Sequence, residues 1–327
     1  MNAKKTLHNK LLTYGLVAIL FGAAVLLNTL GLLSRQMQSL LVPITINIML
    51  AVSLNLAVGF LGELTLGHAG FMSVGAYAGC LFSIAVQDTL PTAIRFPLAM
   101  LIGGLVAAVF GLLIGIPVLR LKGDYLAIVT LAFGEIIRSI IINLDFTGGA
   151  AGLKGTPQDA NYIIGFVLVF ITLFVIINLV DSRHGRAIIA IRDNRISAEA
   201  SGINVTNYKI MVFVIAAFFA GIAGVLYGHN LSILTAGTFD YNKSIEILVI
   251  VVLGGMGSIR GSVIAAVLIT VLPEALRSLK DYRMIIYALL LIIVMILNAN
   301  PAFNAWKSKF SIQNLFKKNA AKGEKQA

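Results

Sequence analysis

SRHGRAIIAIRDNRISAEASGINVTNYK, residues 182–209, is a polar and basic stretch that separates two long apolar runs. Its positive charges are Arg183, Arg186, Arg192, Arg195 and Lys209. An arginine at the centre of a bilayer costs about 2.5–3.5 kcal/mol, so this stretch must lie in water. Because lysine and arginine are enriched in the cytoplasmic loops of membrane proteins, its charge also predicts the cytoplasmic side.

The same stretch carries apolar residues at helical spacing, which predicts short helices rather than a featureless linker. These residues are Ala187, Ile188, Ile191, Ile196, Ala198 and Ala200. A Gly-Ile-Asn sequence that begins at Gly202 is typical of a helix end. A structured, charged element outside the bilayer favours a docking surface for a partner protein.

The composition is that of an all-α polytopic membrane protein. Of the 327 residues, 58% are hydrophobic and 12% are charged, with a mean hydropathy of +0.93, whereas a soluble domain has about 25% charged residues. The net charge of +11 comes from basic residues that cluster at the predicted cytoplasmic ends of spans and in a Lys-rich tail. This pattern sets topology and does not indicate nucleic-acid binding. The single cysteine, Cys80, excludes an internal disulfide and a cysteine-based metal site.

The N-terminus has lysines followed by an apolar run over residues 11–27, as in a signal peptide. The run is long and no small-x-small cleavage sequence follows it, so we interpret it as the first span. The predicted organisation is a cytoplasmic N-terminus at residues 1–10, a membrane domain at 11–300 and a Lys-rich cytoplasmic tail at 301–327.

Apolar runs long enough to span a bilayer predict about ten helices. They cover residues 11–33, 37–58, 68–86, 96–119, 125–143, 161–180, 209–229, 241–256, 261–279 and 283–298. An even number keeps both Lys-rich termini in the cytoplasm, which favours ten over nine. Eight spans with re-entrant pieces fit the charges equally well.

Two glycine-rich breaks, at residues 59–70 and 254–261, interrupt these runs. Non-helical backbone at membrane depth is tolerated where it is buried in protein or lines a cavity, so the breaks are predicted to flank a transport path. The sequence LTLG at 64–67 resembles LTAG at 234–237, which leaves an inverted repeat open but does not establish it. The resulting path candidates are Gly62, Thr65, Gly67, His68, Glu135, Glu246, Gly254, Gly255 and Gly257.

Charged residues within the predicted spans can have a structural role as well as a functional one. Glu135 and Arg138 are one helical turn apart, and a structural ion pair is our first interpretation, with a role near the path as the alternative. Glu246 stands as a lone carboxylate near a span end.

The sequence predicts no nucleotide-hydrolysis site, metal site or catalytic site. The loop at 148–156 lacks the Gly-Lys-[Ser/Thr] spacing of a phosphate loop. The four histidines fall in separate segments without metal-ligand spacing. We therefore expect no catalytic residue, cofactor or metal. A membrane enzyme and an ion-coupled secondary transporter remain as alternatives of another class.

Four ordered motifs resemble a known family. Residues 53–71, SLNLAVGFLGELTLGHAGF, are similar to its S-L-N-L-x-x-G-x-x-G-x-x-S-L-G-H-A-x-F, with Thr65 in place of the usual serine. Residues 119–135, LRLKGDYLAIVTLAFGE, resemble its L-R-x-x-G-x-Y-x-A-I-x-T-L-A-F-G-E. Residues 185–204 are similar to its cytoplasmic loop, and SIE at 244–246 with VLGGMGS at 252–258 resembles its last motif. The chain is identified as a member of the M-type permeases of branched-chain amino-acid ABC importers.

The resemblance implies a subunit of the bacterial plasma (inner) membrane with both termini in the cytoplasm. Its expected partners are a sister H-type permease in a heterodimer, two cytoplasmic ATP-binding subunits, an extracytoplasmic solute-binding protein and membrane lipid. The solute would be leucine, isoleucine or valine, with urea or short amides as the alternative, because a related permease type shares the motifs. The ATPase would dock on a coupling loop, residues 183–208, whose expected contact residues are Gly185, Arg186, Arg192, Glu199, Ala200 and Gly202.

Overall fold

The computed structural model describes residues 3–31, 34–121 and 123–276, together with isolated positions between 282 and 296. The chain forms two compact units, Met1–Val271 and Leu272–Ala327. The described helices are α1 (Ala3–Thr29), α2 (Arg35–Asn55), α3 (His68–Ala85), α4 (Thr92–Val118), α5 (Asp124–Asn143), α6 (Tyr162–Asp181), α7 (Arg183–Asp193), α8 (Arg195–Ala200), α9 (Val205–Gly228), α10 (Tyr241–Gly254) and α11 (Ile259–Ala275). Two short strands, β1 (Leu153–Lys154) and β2 (Ile233–Leu234), pair antiparallel.

Seven helical segments in the described part are long and apolar enough to cross a membrane. They are Leu11–Thr29, Arg35–Leu61, His68–Ala85, Thr92–Val118, Asp124–Asn143, Tyr162–Asp181 and Val205–Gly228. The all-α polytopic fold is confirmed. Helices α10 and α11 lie where two further spans were predicted, but they are shorter than the seven segments above. The predicted span at 283–298 is described only at isolated positions and the tail at 301–327 lies outside the described residues, so the count of ten stays a prediction.

Helix α2 does not end as a regular helix. It continues into a π-helical turn, Leu56–Leu61, and stops at Gly62, whose φ of +80° is a left-handed conformation suited to glycine. Residues 62–67 then run without helix to the start of α3. A second break at residues 255–258 separates α10 from α11, with positive φ at Gly255 and Gly257. Both breaks that the sequence predicted are therefore present.

Close helix packing at the centre depends on glycine. A Cβ on Gly75 of α3 would collide with the backbone of Gly221 in α9, and a Cβ on Gly221 would lie 2.7 Å from the carbonyl oxygen of Gly103 in α4. The three helices α3, α4 and α9 therefore touch backbone to backbone, as small residues allow in membrane proteins.

The bundle has two chemically different ends. Helices α7 and α8 cover one of them, which we call the basic end. At the opposite end, β1 and β2 form a small cap, and the Tyr77 hydroxyl donates to the carbonyl of Leu234 at 3.0 Å. Arg95 and Asp159 form a largely buried ion pair there at 2.6 Å, which fastens the 155–161 loop to α4.

The glycine packing makes a stability prediction. Gly221→Leu places a side chain where α3 and α4 leave no room, so the free energy of unfolding should fall by about 1–3 kcal/mol, the usual cost of overpacking. Thermal unfolding of the purified protein in detergent measures this. The control is Gly22→Leu in α1, where a Cβ meets nothing within 4 Å. Equal melting temperatures for both variants would contradict the packing described here.

Candidate functional site

The basic segment after α6 folds into two helices with separate caps. The hydroxyl of Ser182 accepts from the amides of His184 and Gly185, at 3.1 and 3.3 Å, and begins α7. Asn194 separates α7 from α8. Its side chain accepts from the Ser197 amide at 3.0 Å and so caps the start of α8. Ser and Asn are preferred at such positions because they satisfy amides that the first helical turn leaves free. The predicted short helices are confirmed.

The apolar residues of this segment do not share one face. Ala187, Ile188, Ile191 and Ala198 are buried against the bundle, whereas the Ile196 side chain is 79% exposed. Ile196 and Ala198 are two residues apart in α8, which places them on opposite sides of that helix. The structure thus has an inner face that anchors the segment and an outer face that is free in the isolated chain.

The predicted coupling residues divide between these two faces. Gly185 is buried, and a Cβ there would collide with the Val180 carbonyl, so it allows α7 to pack against the end of α6. Arg186 and Ala200 are exposed, and Glu199 pairs with Arg195 at 3.0 Å on the surface.

Gly202 ends α8 in a left-handed backbone conformation, which residues other than glycine disfavour. Its φ is +81°, its amide donates to the Glu199 carbonyl at 3.0 Å, and the Ile203 amide donates to the Ala198 carbonyl at 3.1 Å. These two bonds form the Schellman arrangement, which commonly requires glycine in the left-handed conformation. Gly202 therefore fixes the direction in which the chain leaves α8 for α9.

Arg192 keeps 38% of its side chain exposed, yet it hydrogen-bonds Gly59 at the first glycine break and lies near the second. Its Nη1 donates to the carbonyl of Gly59 at 3.1 Å, while Nε and Nη2 donate to Asp193. Its Cγ lies 2.7 Å from where a Cβ on Gly62 would be, and its Nη1 lies 3.6 Å from the corresponding position on Gly257. One side chain of α7 thus bonds the π-helical turn and lies beside Gly62 and Gly257.

The two breaks also contact each other through Asn55. Its Oδ1 accepts from the Gly257 amide at 2.8 Å, and its Nδ2 donates to the hydroxyl of Ser262 in α11 at 2.9 Å. Asn55 is fully buried. Its amide group supplies the partners that the broken backbone lacks, which is required in a region without water.

The first break is held between two helices. His68 is buried and its Nε2 hydrogen-bonds the hydroxyl of Ser53 in α2 at 2.9 Å. The amide of Leu66 donates to the hydroxyl of Thr130 in α5 at 3.0 Å. Thr65 is buried, and a Cβ on Gly67 would lie 2.7 Å from the Thr130 carbonyl. Thr65, Gly67 and His68 are thus buried in the isolated chain, and their place along a path stays a prediction.

The start of α10 meets the start of α3. The amide of Ala69 donates to the hydroxyl of Ser244 at 3.1 Å, and the amide of Tyr241 donates to Oε1 of Glu135 at 2.9 Å. The other oxygen of Glu135 accepts from Arg138 at 2.8 Å, so the predicted ion pair is confirmed. Glu135 thereby joins α5 to the first turn of α10.

The Glu246 carboxylate is not alone, which corrects the sequence interpretation. Lys243, one turn away, donates from Nζ to Glu246 Oε2 at 3.0 Å and to Asn47 Oδ1 at 3.4 Å. Asn47 in turn donates to the hydroxyl of Thr270 at 2.9 Å. Sequence reasoning missed Lys243 and Asn47, although a lysine three residues before a glutamate in an apolar run was a usable signal.

The remaining path candidates lie in the second break. A Cβ on Gly254 would lie 2.6 Å from the amide nitrogen of Ser262, so the glycine lets the end of α10 approach the start of α11. Gly255 and Gly257 turn the chain with φ values of +89° and +78°. Within the described ranges, no three His, Cys, Asp or Glu side chains gather as metal ligands would.

A multi-pass helical protein with interrupted helices, ion pairs within its spans and a structured knob at one end has the features of a membrane transporter. The chain belongs to the family described as the branched-chain amino acid transport system / permease component, whose model matches residues 36–295. The family inferred from the motifs is confirmed, and the protein is a membrane subunit of a transporter.

Several individual proteins are similar to the chain. The high-affinity branched-chain amino acid permease LivM of Escherichia coli strain K12 is 34% identical over 318 residues, 85% of this chain and 72% of the relative. LivM of Salmonella typhimurium is 35% identical over 290 residues, 77% of this chain and 66% of the relative. The ribose import permease RbsC of Haemophilus influenzae is 27% identical over 277 residues, 77% of this chain and 81% of the relative. No solved structure matches significantly.

An ion pair at the basic end gives a second stability prediction. Lys209 in α9 pairs with Glu63 in the first break, with 3% of the lysine and 17% of the glutamate side chain exposed. Lys209→Met leaves the carboxylate buried without a partner and should lower the free energy of unfolding by about 3–5 kcal/mol. Adding Glu63→Gln should restore most of the loss, as followed by thermal unfolding in detergent. A double variant as unstable as the single one would show that the lysine acts otherwise.

Proposed function

We propose that this chain is the M-type permease subunit of an ABC importer that carries leucine, isoleucine or valine across a bacterial plasma membrane. An extracytoplasmic binding protein delivers the solute, two separate cytoplasmic ATPases supply the energy, and a sister H-type permease completes a heterodimer within the lipid. In this arrangement residues 1–10 and 301–327 are cytoplasmic, and residues 11–300 form the membrane domain with a cytoplasmic coupling loop at 183–208.

The observation that carries this proposal is the two-faced basic segment. Its inner face is anchored to the bundle, and Arg192 connects it to both breaks, while its outer face presents Arg186, Ile196 and Glu199 to solvent. Such an arrangement suits a docking element that transmits motion, because a displacement of α7 acts directly on the broken helices. Its arginines also match the charge expected on the cytoplasmic side.

The position of the sister permease is supported by α5. This helix leaves Ile128, Ile136 and Ile140 more than half exposed in the isolated chain. An open depression of about 490 Å³ is lined by Ile136 and Ile140 together with the polar residues Glu135, Ser139 and Asn143. Polar groups in a span rarely face lipid, since a charge there is costly. We therefore place the sister permease against α5, with the solute path between the two chains.

The proposed solutes follow from the similarity to two proteins named as branched-chain amino acid permeases. Urea and short amides remain the second candidate, because the motifs are shared. Uptake by the complete importer in proteoliposomes, with labelled leucine and labelled urea in parallel, decides between them. We expect ATP-dependent uptake of leucine and none of urea. ATP-independent uptake by this chain alone would contradict the importer assignment.

Charge reversal on the outer face tests the coupling loop. Arg186→Glu should reduce the ATPase stimulation caused by loaded binding protein at least tenfold, since losing an interface charge pair costs roughly 2–5 kcal/mol and each 1.4 kcal/mol is about tenfold. Arg120→Glu makes the same exposed charge change outside the 183–208 loop and should leave most of the stimulation. Full stimulation in the Arg186 variant would refute the assignment.

The turn after α8 gives an independent test of the same loop. Gly202→Pro is incompatible with a φ of +81° and removes the amide that donates to Glu199. Stimulated ATP hydrolysis should be lost while the protein still inserts in the membrane. Gly202→Asn is the matched control, because asparagine tolerates the left-handed conformation. Equal activity of both variants would show that the direction of this turn does not matter for coupling.

A further inference from the structure

A charged pair lies half-way through the bundle and has no role in the coupling contacts described above. Lys243 Nζ and Glu246 Oε2 are 3.0 Å apart on the first turns of α10. Their neighbour Asn47 is close to the middle of the 27-residue segment Arg35–Leu61. Tyr241 at the start of α10 contacts Glu135, which is near the middle of α5. The pair is therefore at mid-depth, far from either end of the spans.

The pair is also accessible in the isolated chain. The Lys243 side chain is 19% exposed and that of Glu246 is 39% exposed, while Ser244 on the opposite side of the helix is buried against α3. Charged side chains at this depth normally face the interior of a bundle or a water-filled cavity. The partial exposure of both side chains in the isolated chain leaves room for a solute or water on this side of α10.

The chemistry of the pair fits a solute that carries both charges. A free α-amino acid has a carboxylate, which an ammonium group can bind, and an ammonium group, which a carboxylate can bind. We infer that Lys243 and Glu246 form a transit site that separates to bind the two ends of a zwitterionic amino acid. The inference rests on the proposed function and names the solute class that this site accepts.

Exchange of partners keeps the charge balanced at every stage. In the empty site Lys243 and Glu246 neutralise each other, and in the occupied site each is neutralised by the solute. Asn47 continues to accept from the lysine, so the ammonium group is never without a partner. Ile245 adjoins Glu246 on the exposed side of α10 and is 41% exposed, which offers an apolar surface beside that carboxylate for the solute's side chain. Urea has no charges and gains nothing from separating the pair.

The first test measures solute moved per ATP hydrolysed by the complete importer, purified through a tag on this chain. Lys243→Met with Glu246→Gln removes both charges and leaves no unpaired one. We expect leucine uptake per ATP to fall about tenfold or more, the size of effect that losing charge-assisted contacts produces, with binding-protein-stimulated ATP hydrolysis retained. A structural role alone would lower the melting temperature and leave the ratio of uptake to hydrolysis unchanged, and that result overturns the inference.

The second test does not depend on turnover. Cys80, the single cysteine of the chain, is fully buried. Ile245→Cys therefore adds one accessible thiol to this chain. A charged, water-soluble methanethiosulfonate should label it, and leucine together with loaded binding protein and ATP should slow labelling while urea does not. Ile171→Cys near the middle of the α6 span is 50% exposed in the isolated chain; it is the control for a surface that meets lipid and should not be labelled.

The outcomes separate this inference from the proposed function. If the wild-type importer takes up leucine but Ile245→Cys is not labelled, or is labelled without protection, the transit site is wrong and the importer assignment stands. If the wild-type importer takes up urea and not leucine, the proposed solute fails and the zwitterion site fails with it.

Discussion

The structure depends on one requirement, that every peptide group which leaves a helix inside a bilayer must find another partner. The chain leaves helical structure at two breaks, and side chains from other helices meet the freed groups. Asn55 binds the Gly257 amide, Thr130 binds the Leu66 amide, and Arg192 binds the Gly59 carbonyl. The breaks are therefore fixed by the surrounding helices and cannot move without them.

This requirement explains why hydrogen bonds connect the basic end to the interior of the bundle. Arg192 belongs to α7, yet its acceptor belongs to the π-helical turn of α2. Asn55 lies just before that turn and holds the second break through Gly257. A hydrogen-bonded chain thus runs from the surface segment through α2 to the start of α11. Rearranging any member changes the partners of the next.

Much of the fold could be predicted from the sequence, because apolar runs mark the helices that lie in a membrane and glycine-rich stretches mark where those helices are interrupted. The breaks, the two short helices of the basic segment and the Glu135–Arg138 pair all follow from local spacing. What could not be predicted are contacts between residues far apart in the chain. The pairing of Glu246 with Lys243 was within reach of local spacing, but the contact of Lys243 with Asn47, 196 residues away, was not. Which side of α8 faces the bundle, with Ala198 buried and Ile196 exposed, is likewise decided by packing against other helices.

Candidate residues at the breaks show the same limit. Thr65 and His68 were singled out from a glycine-rich motif, and the structure places both in the interior of this chain. Spacing along a helix predicts which residues share a face, but not whether that face meets water, a neighbouring helix or another subunit. That choice is made by tertiary packing. The α5 surface became visible only when the other helices were in place around it.

The three nitrogens of Arg192 have a mechanical consequence. Two of them hold Asp193 on α7 and the third holds Gly59 on α2, so a planar, rigid group links two helices along fixed directions. A lysine has a single nitrogen and could not bond Asp193 and Gly59 along these fixed directions at the same time. The planar guanidinium therefore fixes the position of Asp193 relative to the carbonyl of Gly59 through one group.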